Sequence, residues 1–153
     1  MAGTVRGMSD RVVSISREID APAERIFELL IDPARHGEID GSGMVQNMRS
    51  GAGKLTLGAK FGMDMKIGPI PYRISNTVVE FEENRRIAWA HFGKHRWRYI
   101  LEPLDGGART NVTEEFDWST STFPKGIELM GYPTKHVGNI ERTLERLAQV
   151  VES

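Results

Sequence analysis

A chain of 153 residues, 39% hydrophobic and 27% charged, is long enough for one domain around one core and has an ordinary globular composition. A formal net charge of −1 offers no field to draw in DNA, RNA or an anionic membrane, so nucleic acid is not an expected partner. With no cysteine, the chain cannot use disulfides, thiolate catalysis or Cys-based zinc sites.

Residues 1–9 are small and polar and read as a flexible lead-in to a single domain over 10–153. They hold no apolar stretch of signal-peptide length, and no later run approaches the roughly 20 apolar residues of a membrane span, so a cytoplasmic location is expected. Val13, Ile15 and Ile19 then alternate along a first strand, with Arg17 the charged member of that face. Asp20 or Ala21 can cap a following helix whose first turn accepts Pro22; Ile26, Phe27 and Leu30 form its apolar stripe and Pro33 stops it. A short helical turn over Ala34–Glu38 leads to Gly41 and Gly43.

Six more strands are predicted at about Met44–Arg49, Ala59–Ile67, Tyr72–Phe81, Arg86–Phe92, Arg96–Leu101 and Arg109–Trp118. The punctuation between them is short, as in Gly68-Pro69-Ile70-Pro71 and Glu83-Asn84, and favours antiparallel neighbours. Gly51-Ala52-Gly53-Lys54 lacks the Walker spacing and reads as a hairpin connection. Ser119–Pro133 reads as irregular or loosely helical. From Thr134 to Val151, Val137, Ile140, Leu144, Leu147 and Val151 recur at helical spacing. The predicted class is therefore α+β: a bent antiparallel sheet of about seven strands, two short helices after the first strand, and a long C-terminal helix against the apolar face.

Such a sheet cannot close fully on a straight helix, so an apolar pocket between them is expected. Alternation assigns its wall. Met63 and Met65 share a face that serves equally as core or as an adaptable ligand surface. Trp97 and Tyr99 share another, and Glu114, Phe116 and Trp118 a third. Glu114 is then either a desolvated general acid/base among apolar neighbours, or the partner of an Arg or Lys, or a residue of the rim. Trp89 and His91 share a face whose side depends on the turn at Gly93: a two-residue loop sets Trp89 opposite the Trp97 face, and a longer one brings them together. His91 is either an acid/base group in the cavity or a hydrogen-bonded structural or edge histidine. His36 and His136 are assigned to the mouth, with Asp40, Tyr72 and Tyr132 as companions, and Met130 is a further ligand-binding candidate. The histidines lack the spacing of a metal site, and no cofactor motif is present.

The order of elements, together with Ile19-Asp20-Ala21-Pro22-Ala23-Glu24-Arg25-Ile26-Phe27, Asn84-Arg85-Arg86-Ile87-Ala88-Trp89, Tyr99-Ile100-Leu101-Glu102-Pro103-Leu104 and Ile140-Glu141-Arg142-Thr143-Leu144-Glu145-Arg146-Leu147, resembles the START/Bet v 1-like helix-grip superfamily (SRPBCC). The wording is most similar to its polyketide cyclase/dehydrase and lipid-transport-like members. The resemblance implies a hydrophobic or aromatic small-molecule ligand, such as a polyketide, lipid or sterol-like compound. It also implies, where the ligand is turned over, an aldol-type cyclization or dehydration by a monomer or homodimer. Glu114 and His91 are then the acid/base candidates, with Tyr72 or Tyr99 as donor. The alternative is a protein-interaction or regulatory module on the same fold, anchored by Phe123, Met130 and Tyr132.

Overall fold

The computed structural model describes residues 4–9, 11–41, 45–50 and 53–152. Residues 1–3 of the lead-in, and Gly43, Met44, Gly51 and Ala52 of the predicted turns and second strand, lie outside the described residues. Among the described residues, eight strands form one antiparallel sheet: β1 Thr4–Ser9, β2 Val12–Ile19, β3 Val45–Ser50, β4 Lys60–Ile67, β5 Ile70–Glu82, β6 Arg86–Ala90, β7 Arg96–Leu104 and β8 Arg109–Asp117. Their order is β1-β2-β8-β7-β6-β5-β4-β3. The strand beyond the predicted seven is β1. Residues 4–9, expected to be flexible, pair with β2 from Ser9↔Val12 to Thr4↔Arg17 across a turn in which Arg11 takes a positive φ of 63°.

The first helix, α1 Ala23–Leu30, starts one residue after Pro22, whose extended φ of −71° and ψ of 152° make it the N-cap in place of the predicted Asp20 or Ala21. Ile26, Phe27 and Leu30 are buried as their spacing requires. Asp32 caps the next turn by accepting from Ala34 N, and the chain passes into α2 His36–Ile39. The segment expected to be loosely helical contains α3 Pro124–Leu129. Gly131, with a φ of 75°, turns the chain into α4 Tyr132–Glu152.

The buried stripe of α4, with Ile140, Leu144, Leu147 and Val151, packs on the inner face of the sheet, where Ile15, Val112 and Phe116 are also buried. A bulge between Val78 and Glu80 of β5 turns both Val78 and Phe81 toward the core, where Phe81 meets Phe27 edge-on at 5.5 Å.

The end of α2 is fastened to α4 by close backbone approach. Gly41 N donates to Thr143 Oγ1 at 2.8 Å, Arg142 Nε donates to Gly41 O at 2.9 Å, and Arg146 donates to Asp40 O at 3.0 Å. A Cβ on Gly41 would stand 2.4 Å from Thr143 N and 2.6 Å from Arg142 Cβ. Because helix backbone cannot yield as a flexible side chain can, Gly41→Ala should destabilise the fold by about 1–3 kcal/mol. Urea unfolding checks this; an unchanged midpoint would mean that α2 and α4 are not held this closely in solution.

Candidate functional site

A cavity of ≈ 350 Å³ lies between the inner face of the sheet and α4. One wall is an aromatic band set by strand register, with Trp89↔Trp97 and Trp97↔Phe116 directly opposite one another across β6 to β8. The β6–β7 connection runs from His91 to His95, with Lys94 at a φ of 63° and its N–H donating to His91 O at 2.8 Å. This longer connection puts Trp89 and Trp97 on the same face. His36 of α2 stacks on Trp89 at 4.9 Å and donates from Nε2 to Leu30 O at 2.7 Å. Burial lowers its pKa, which keeps the ring neutral.

Glu114 stands in the next row, between Ile15 of β2 and Tyr99 of β7. It is only 4% exposed, and makes no ion pair among the described residues. The Tyr99 hydroxyl hydrogen-bonds its carboxyl group, while Oε1 has no hydrogen-bond partner. Desolvation raises the Glu114 pKa well above the usual carboxylate range, and the charge of Asp40 adds to the rise. The same burial, with the neighbouring carboxyl, raises Tyr99 well above its ordinary value. The arrangement favours a neutral carboxylic acid that can donate a hydrogen bond into an apolar cavity.

A second polar group lines the loop end of the cavity. Asn76 Oδ1, His91 Nδ1 and His95 Nδ1 are buried without a hydrogen-bond partner. The His91 and His95 rings meet edge-on at 4.5 Å. His136 of α4 lies 4.5 Å from Phe116 and 4.8 Å from Trp97, with Tyr132 stacked on it at 5.7 Å. Arg142 donates to Asn139 Oδ1 at 2.6 Å, which leaves Asn139 Nδ2 to donate to His136 Nδ1 at 3.2 Å and puts the ring proton on Nε2. Burial lowers His91; burial and the charges of His91 and His136 lower His95 to about 4; burial and Lys135 lower His136 to about 4. Among the described residues, no three His, Asp or Glu side chains converge as metal ligands would.

Of the residues singled out from sequence, Glu114, Tyr99, Trp97, Phe116, Trp89 and His91 all reach this cavity, as do Met63, Met65, Tyr72, Tyr132 and His136. Met65 and Tyr72 face each other across β4 and β5. Met130 is the correction. It is 60% exposed at the end of α3, because the turn at Gly131 leaves it on the solvent side while Ile127 and Tyr132 turn inward. The two acid/base candidates are not brought together. Glu114 pairs with Tyr99, whereas the His91 ring meets that of His95, four residues before Tyr99 or about 13 Å of backbone away, with the Trp97–Phe116 pair between. Asn76 and His95 were missed, although alternation carries the signal: Asn76 continues Tyr72 and Ile74, and His95 continues Tyr99 and Trp97.

The architecture is that of the helix-grip class. Residues 10–152 match the family described as polyketide cyclase/dehydrase and lipid transport, and the chain belongs to that family. An uncharacterized protein of Mycobacterium tuberculosis H37Rv, Rv0088, is 38% identical over 140 residues, 89% of this chain. The chain spans 62% of the length of that relative. A protein from Arthrobacter aurescens superposes with a TM-score of 0.72 at 17% identity, covering 98% of this chain and 91% of the other. A Polyketide_cyc-like protein from Corynebacterium glutamicum gives 0.65 at 20%, covering 95% and 94%. An AHSA1-like protein from Aeromonas hydrophila gives 0.58 at 21%, covering 90% and 93%. At these identities the structural likenesses carry the fold alone.

Proposed function

We propose that the cavity binds an apolar, aromatic small molecule of the polyketide, lipid or sterol-like kind, and that Glu114 acts on it as a neutral acid. The carrying observation is the Glu114 carboxyl, buried in the cavity wall between Ile15 and Tyr99 with one oxygen unpartnered. A buried polar atom left without a hydrogen bond costs about 1–3 kcal/mol. The cavity holds four such atoms, on Glu114, Asn76, His91 and His95, and a ligand with matching polar substituents would satisfy them. If the bound molecule carries a carbonyl, a hydrogen bond from Glu114 to its oxygen would polarise it and stabilise the negative charge that develops there when a base takes the α-proton, as an aldol-type cyclization or dehydration requires. Tyr99 would position that carboxyl group. His91, in a different row, would contact another part of the ligand.

The first test is organic extraction of the purified protein and mass spectrometry of the extract, alongside a native mass spectrum. A stoichiometric hydrophobic compound is expected. A bare protein that shows no thermal shift with polyketides, fatty acids or sterols would favour the interaction-module reading. The exposure of Phe123 and Met130 speaks for that second reading; Tyr132, its third anchor, faces the cavity instead.

A further inference from the structure

Large apolar side chains protrude from three elements around one opening. Ile67 and Ile70 face each other at the tip of the β4–β5 hairpin, where Gly68 takes a φ of 54°. Phe92, 84% exposed, projects from the β6–β7 connection, and Phe123 and Leu129, the latter 91% exposed, stand at the two ends of α3. Ile67 and Phe92 also line the cavity, as does Ile127 on α3. The connection and the segment before α3 are tied together, since Thr122 N donates to Gly93 O at 3.1 Å and Thr120 Oγ1 donates to Lys94 O at 2.8 Å. Single exposed apolar residues need no explanation, but a group around a cavity mouth does.

The same rim is basic. Exposed lysines flank each apolar tip: Lys66 beside Ile67, Lys94 near Phe92, Lys125 near Phe123, and Lys135 in the first turn of α4. The acidic residue of α3, Glu128, is already engaged by Trp118 Nε1 at 2.7 Å and Arg11 at 2.9 Å. The net charge of −1 averages over this local arrangement and conceals it.

From this juxtaposition we infer that the rim of the cavity mouth docks on an anionic lipid bilayer. Protruding apolar tips would enter the acyl boundary while the lysines lie among the phosphates of the headgroups. A second copy of the chain is the poorer fit, because a two-fold contact of this face with itself would set lysines against lysines. Docking by this face does not depend on the proposed ligand. Taken together with that reading, it would let an apolar molecule pass from bilayer to cavity without crossing water.

The test is co-sedimentation of the whole chain with phosphatidylcholine vesicles, with and without phosphatidylglycerol. Wild type should sediment with the phosphatidylglycerol-containing vesicles, and added salt should weaken the association. The combined Ile70→Ser, Phe123→Ser and Leu129→Ser variant should bind at least about tenfold more weakly. Lys94→Glu with Lys125→Glu should abolish the preference for phosphatidylglycerol. None of these five residues lines the cavity. Quenching of tryptophan fluorescence by an anthraquinone should therefore survive in both variants, and failure of that quenching in wild type with vesicle binding intact would count against the ligand reading alone. Failure of wild type to sediment, or equal sedimentation of the serine variant, would overturn the docking proposal. So would a reversible dimer in sedimentation velocity that the serine variant abolishes.

Discussion

Arg98→Ala should lower stability by about 3–5 kcal/mol, the loss typical of removing one partner from a buried ion network. Arg98 sits on the outer face of the sheet, opposite the cavity, with its side chain only 11% exposed. It donates to Glu80 at 2.7 Å, to Glu115 at 2.8 Å and to Asp117 at 3.1 Å. Arg96 and Arg86 also reach Glu80, at 2.8 and 3.1 Å, so the alanine variant would strand Glu115 and leave Asp117 with only its Ser119 hydrogen bonds, while Glu80 keeps two cations. Arg98→Lys should fall between the two, because an ammonium keeps the charge but not the planar fork that serves three carboxylates. Urea unfolding of both variants measures this, and a loss below about 1 kcal/mol for alanine would mean that the network behaves as exposed surface pairs do. The network also shapes the acid limb. Burial alone would raise the Glu80 carboxyl, but hydrogen bonds from Arg98, Arg96 and Arg86 outweigh it and hold the group at about 2. A depressed carboxylate contributes stability that is complete above its unfolded value of about 4.5 and is lost as pH falls toward 2. The acid limb of Arg98→Ala should therefore be shallower than that of wild type.

This network shows what alternation in a sequence can and cannot carry. Arg96 and Arg98 fall opposite Trp97 and Tyr99 by simple period two, so the outer and inner faces of β7 are legible from the chain alone. That Glu80 joins them is not legible, because the bulge after Val78 shifts the phase of β5 by one residue. The same kind of local geometry hid the side of Trp89, which a turn length decides, and misplaced Met130, which a left-handed glycine carries outward. Residues 4–9 carry no apolar alternation, and their strand is set by the β1–β2 hairpin. Glu114 is the contrasting case. Its position in the Val112, Glu114, Phe116 series put a carboxyl on the inner face from sequence, and only the absence of a facing cation needed the three-dimensional packing.

Glu114→Gln should stabilise the protein at neutral pH and abolish any turnover, two effects of opposite value to the molecule. In the folded chain the carboxyl is raised well above its usual range by desolvation, with Asp40 adding to the effect. A raised acid contributes stability that is full below its unfolded pKa near 4.5 and is lost as pH rises through the folded value. Glutamine is nearly isosteric, keeps a partner for the Tyr99 hydroxyl and does not titrate. The stability gap in its favour should therefore open above about pH 4.5, widening by up to about 1.4 kcal/mol per pH unit until the folded carboxyl ionises. Thermal unfolding of both proteins from pH 4 to 9 reads this directly. The histidines act in the other direction: His95 and His136, lowered to about 4 by burial, contribute stability above their unfolded value of 6.5 that is lost as pH falls toward 4. Both proteins share that slope, so the difference between their curves isolates the carboxyl. A gap that stays flat with pH would mean that Glu114 ionises normally, and would remove the neutral acid from the proposed chemistry. A gap that opens as expected would mean that the fold tolerates a destabilising group in the wall of its cavity, the trade between stability and activity that a functional site makes.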